Sequence, residues 1–83
     1  MSTKITNPKT ITIRWERQDW DVTVAEGSKW TWALTFEELD QLATTWRFGH
    51  GYKTYVAAYN AVDAQVTRLE NRGHTVHWEI IEL

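Results

Sequence analysis

Three histidines, His50, His74 and His77, are the first residues of this sequence that could hold a metal or move a proton. An offset of three on an extended chain sends the rings of His74 and His77 to opposite faces, and His50 stands far upstream. Cys is absent, which removes thiolate zinc sites, thiol nucleophiles and disulfides. No spacing supplies the further Asp or Glu that a metal would need, so neither a metal nor a cofactor is expected. Carboxylates cluster as Glu16, Asp19 and Asp21, and again as Glu79 and Glu82. Beside Arg14, Arg17 and Lys29 they read as solvated ion pairs, because an acid–base couple needs burial or like-charge coupling. Ser2 and Ser28 fall in a polar tail and a turn, outside any G-x-S-x-G context. No catalytic residue can be named, and the expectation is a protein that is not an enzyme.

Recognition chemistry is densest in Trp46-Arg47-Phe48-Gly49-His50-Gly51-Tyr52-Lys53-Thr54-Tyr55. Arg47, His50 and Lys53 are interleaved there with aromatic rings, on a Gly-hinged connection that feeds a helix start. Free amides and the dipole at such a start favour an anion, whether a phosphate or a partner's carboxylate. Aromatics beside cations are also what single-strand nucleic-acid binders use. The candidate binding residues are therefore Arg47, Phe48, His50, Tyr52, Lys53 and Tyr55. A P-loop is excluded, since Gly49-His50-Gly51 lacks its spacing. Further on, Ala57, Ala61 and Ala64, followed by Arg68, form a stripe of small residues that lets another helix approach closely. That helix belongs either to the same chain or to a second copy, in a homodimer.

The elements that must position these residues follow from hydrophobic periodicity. Residues 1–8 are polar, end in Asn7-Pro8 and read as a flexible tail; 9–83 read as a single domain. Alternation puts Ile11, Ile13 and Trp15 on one side of a first strand, Trp20, Val22 and Val24 on a second, and Trp30, Trp32 and Leu34 on a third. Polar or Gly-bearing breaks separate them, which predicts a meander with Trp15 opposite Trp20 and Val24 opposite Trp30. At Thr35 the period changes. Thr35-Phe36-Glu37-Glu38 fits a capping box, Leu34 and Leu39 flank it as a staple, and Phe36, Leu39, Leu42, Ala43 and Trp46 recur at helical spacing until Gly49 and Gly51. A second helix is predicted from about Thr54 to Arg72, with Gly73 as its C-terminal glycine. Alternation returns from His74 to Leu83, and this last strand is placed beside the first. The expected fold is α+β: a mainly antiparallel four-stranded sheet, in the order β-β-β-α-α-β, with two helices packed on one face.

Six Trp in 83 residues invite a story of sugar or base stacking. Parity argues for a core instead, since Trp15, Trp20, Trp30, Trp32 and Trp78 share the side of the Ile, Val and Leu of their strands, and Trp46 lies on the first helix's apolar stripe. Nine Lys+Arg against eleven Asp+Glu leave a net charge of −2, the wrong sign for a surface built to neutralise phosphates. No stretch is long and apolar enough to span a membrane, and the start carries no leader pattern, so a cytoplasmic protein with no membrane partner is expected. The function expected is that of a small non-catalytic binding module acting through protein–protein interaction, an accessory or inhibitor protein using the Arg47–Tyr55 loop and helix start. The alternative is a nucleic-acid, nucleotide or anion-binding module using Arg47, His50, Lys53 and the flanking aromatics.

Overall fold

The computed structural model describes residues 7–38 and 43–83. Among these residues the elements run β1 (Pro8–Trp15), β2 (Gln18–Ala25), β3 (Trp30–Glu37), β4 (Thr44–Phe48), α1 (Tyr55–Asn71) and β5 (Val76–Glu82). The class is α+β, but the expected four-stranded sheet beneath two helices is not what forms. The five strands divide into two antiparallel sheets, β1-β2 and β4-β3-β5, and one helix accompanies them. No helix among the described residues is long and apolar enough to cross a membrane.

The first two strands pair as a hairpin, with Trp15 opposite Gln18 and Ile13 opposite Trp20. Glu16 and Arg17 make the whole turn, both at positive φ (52° and 64°). Two consecutive left-handed residues twist a turn in the sense that strands twist, which is why such short hairpins use them. The expected pairing of Trp15 with Trp20 is therefore displaced by two residues. A shift of two preserves the pleat, so the apolar face survives the error.

The expected second hairpin is absent, because the chain changes sheets after β2. Ala25 donates to the carbonyl of His50 (2.9 Å), and the Ser28 hydroxyl turns back onto the Ala25 carbonyl (2.6 Å). Val24 thus does not face Trp30. Instead β3 lies between β4 and β5, and β5 pairs with β3 and not with β1, where the last strand had been placed.

The expected first helix is also replaced by strands. Thr35 is no helix cap: it sits inside β3, opposite Trp46 on one side and His77 on the other. Trp46 fits a helical stripe by spacing, yet it belongs to Thr44-Thr45-Trp46-Arg47-Phe48, a β-branched and aromatic run that favours a pleated strand. Leu39 and Leu42, which completed the helical pattern, lie outside the described residues.

The layers explain where the indoles go. On one face of β3, Trp32, Leu34 and Phe36 pack with Val62, Val66 and Leu69 of α1. On the other, Ala33 packs with Ile13, Trp15, Val22 and Val24 of the hairpin, and Trp20, Trp46, Phe48 and Ile81 close around them. A central strand covered on both faces reads as a nearly continuous buried run. The tryptophans accordingly split between two aromatic clusters and do not share one face. Each buried indole removes about 150–250 Å² from water, at about 25 cal/mol/Å², which suits a small domain without covalent staples.

The predicted second helix is present as α1. Thr54 accepts from the Ala57 amide (3.1 Å) as its N-cap. Its C-terminus closes with Gly73 at φ 92°, where Gly73 donates to Glu70 (2.9 Å) and His74 to Leu69 (3.1 Å). These two bonds use carbonyls that the helix end would otherwise leave bare.

Candidate functional site

Two separate candidates from the sequence meet at one place, the groove between α1 and β4. Arg47 projects from β4 on the α1 side; its guanidinium lies 5.1 Å from the Phe36 ring centroid and donates to Oε1 of Gln65 at 3.4 Å. Arg47, Phe48, His50 and Tyr52 line an open groove of about 350 Å³ together with Trp32, Ala61 and Gln65. Ala61 is the member of the alanine stripe that reaches it. Ala57, Ala64 and Arg68 remain exposed. No preceding helix lies against the stripe among the described residues, so the neighbour that approaches α1 on this side is a strand.

The loop is held in shape by close contacts. Tyr52 bridges to Trp30: its amide donates to the Trp30 carbonyl (2.7 Å), and its own carbonyl accepts from Trp30 (2.9 Å). The Tyr52 hydroxyl accepts from the Trp32 indole (3.1 Å), which leaves its O–H free to donate into the groove. Gly49 lets the chain lie on β3, since a Cβ there would stand 2.7 Å from Trp32 Nε1 and 2.8 Å from Thr31 Oγ1. The His50 side chain is exposed, while its carbonyl anchors the end of β2.

Lys53 and Tyr55 are not part of that groove, and Phe48 borders it with its ring turned away. The Phe48 ring packs on the hairpin side, 5.3 Å from the Trp20 ring and 6.4 Å from that of Trp15. Lys53 is exposed at the approach to α1. Tyr55 lies on the opposite flank of α1, where rings form a chain: Trp30–Tyr55 at 5.3 Å, Tyr55–Tyr59 at 6.4 Å and Tyr59–Trp78 at 6.0 Å. Gln65 and Tyr59 were missed as candidates. The i, i+4 steps from Ala61 to Gln65 and from Tyr55 to Tyr59 were the available signals.

The histidines do not converge. His77 Nε2 meets Glu16 Oε1 at 2.7 Å and its ring stacks on Trp15, whereas His74 Nδ1 lies 2.9 Å from the Glu37 carbonyl. Among the described residues no group of three or more His, Cys, Asp or Glu could hold a metal ion. In comparisons with known proteins, no family model, curated protein or solved structure matches the chain.

Proposed function

We propose that this chain is a non-catalytic protein-binding module, an accessory or inhibitor protein of the cytoplasm that seats a carboxylate-bearing segment of a partner in the α1–β4 groove. One observation carries the reading: three donors, Arg47, His50 and Tyr52, line a single groove whose apolar walls include Trp32 and Ala61. Among the described residues Arg47 pairs with no carboxylate. Its guanidinium is oriented by Phe36 and Gln65, and its remaining N–H groups suit two-pronged recognition of an acid. Hydrogen bonds to charged groups contribute about 1.5–3 kcal/mol each, so one acidic anchor can dominate affinity.

The same cations would serve nucleic acid or a nucleotide, the alternative reading. Its stacking platform is weaker, because the Phe48 ring packs on the hairpin side and Lys53 does not line the groove. Affinity capture of a partner with the wild-type chain, an Arg47→Glu variant and an Arg17→Ala control tests the proposal. A partner retained by the control and lost with Arg47→Glu supports it. Capture indifferent to Arg47→Glu overturns it. Binding of labelled single-stranded DNA or RNA that weakens steeply with salt and requires Arg47 would install the alternative.

A further inference from the structure

The helix sorts its charges by flank. Gln65 faces β4 through Arg47, and Tyr59 faces β5 through Trp78. Helical spacing then assigns Arg68 to the β4 flank, and Asp63 and Glu70 to the β5 flank, in line with Tyr59 at steps of four and seven. Next to this acidic line the rings of Tyr55 and Tyr59 are 49% and 41% exposed. Below them runs β5, an edge strand among the described residues: it pairs there with β3 on one side, it carries Glu82 on the α1 side while Glu79 turns to Trp15 of the hairpin, and it holds no Lys or Arg. An aromatic surface rimmed by acids, beside an unpaired row of backbone donors and acceptors, has a definite chemical complement.

We propose that this flank is a second binding surface, for an extended basic segment of a partner protein that adds as a strand to the outer edge of β5. Alternate side chains of an added strand rise toward α1. Lys or Arg at those positions lies over the faces of Tyr55 and Tyr59 and points its charge at Asp63 and Glu70. Main-chain pairing supplies affinity, and the acidic aromatic rim selects for basic residues. A second copy of this chain is the poorer occupant, because β5 is itself acidic and antiparallel pairing about Glu79 sets like charges opposite each other. The proposal uses none of the groove residues and stands apart from the reading given for Arg47.

The test titrates the isotope-labelled full chain with two synthetic peptides, one alternating Lys and Val and one alternating Glu and Val, following backbone amide signals. The Lys peptide is expected to shift and protect the amides of β5, and the Glu peptide to leave them unchanged. Tyr59→Ala and the double variant Asp63→Lys/Glu70→Lys each weaken the Lys peptide by roughly tenfold or more, whereas Arg17→Ala does not. The double variant alters only exposed side chains, so it keeps the test decisive should Tyr59→Ala unfold the helix. Equal response to the two peptides, shifts centred on another strand, or affinity unchanged in the double variant overturns the proposal. So does light scattering that shows a dimer closed through β5.

Discussion

The indole of Trp15, carried on the hairpin, donates a hydrogen bond to Oε2 of Glu79 on the central sheet at 2.8 Å. The two residues are remote in sequence, and this bond ties one sheet to the other. Trp15 is also boxed by rings: Trp46 edge-on at 5.6 Å and His77 stacked at 5.6 Å. Trp15→Ala is expected to cost about 3–5 kcal/mol, the range for deleting a large buried aromatic. Trp15→Phe with Glu79→Ala, each alone and together, isolates the bond. Urea unfolding of the four proteins should give a coupling of about 1 kcal/mol. Additive losses would mean that Trp15 acts by packing alone.

The hairpin turn stores strain that can be relieved. Arg17 holds φ at 64°, where a side chain costs about 1–2 kcal/mol that glycine avoids. Arg17 is exposed and heads no ion pair among the described residues. Arg17→Gly is therefore expected to stabilise the domain by about 1 kcal/mol, visible as a higher midpoint in urea with an unchanged slope. The same substitution at Glu16 sacrifices its pair with His77, so its gain should be smaller.

Parity was legible in the sequence, and connectivity was not. Alternation correctly joined Ile13 with Trp15 and Val22 with Val24 on one buried face, and helical spacing with Thr54 and Gly73 bounded α1 closely. Parity says which side chains share a face, but it is silent about what covers that face. Thr31 and Ala33, on the side of β3 opposite Trp30, Trp32 and Leu34, are both fully buried beneath the hairpin. Small residues at a close sheet-to-sheet contact look like the residues of a wetted face. The expected first helix failed for a related reason: Phe36 and Trp46 satisfy a helical period, while Thr44, Thr45 and Phe48 around them prefer a strand, and pairing with β3 decides between the two. The candidate site was half legible. Arg47, His50 and Tyr52 fall together as their spacing suggests, but alternation in β4 turns the Phe48 ring to the hairpin side, and the helical turn carries Tyr55 to the other flank of α1.

Two glycines with similar backbone angles should respond differently to a methyl group. Gly27 (φ 80°) has open space around its missing Cβ, whereas a Cβ on Gly51 (φ 94°) would come within 2.7 Å of Ser28 Cβ and 2.9 Å of Val24 Cβ. Gly27→Ala carries the left-handed penalty alone, about 1 kcal/mol. Gly51→Ala adds a collision between the groove loop and the β2–β3 connection, and should lose about 3 kcal/mol in total. Thermal unfolding of both variants reads the difference. Equal losses would show that the loop and the connection can part without cost.

Thr31 offers the reverse experiment, a substitution expected to stabilise. Its side chain is fully buried opposite Ile81, and its hydroxyl makes no hydrogen bond among the described residues. A buried hydroxyl that has given up water without gaining a partner costs about 1–3 kcal/mol. Valine has nearly the same shape and no such cost, so Thr31→Val should raise stability by about 1 kcal/mol, or the melting temperature by about 4–8 °C. Thr35 also has a buried hydroxyl without a partner among the described residues, but the residue as a whole is only partly covered and borders an opening of about 420 Å³ with Trp46 and His77. Thr35→Val should therefore gain less. A Thr31→Val protein that melts below the wild type would mean that its hydroxyl is satisfied after all, and that the two sheets are not dry where they meet beside Gly49.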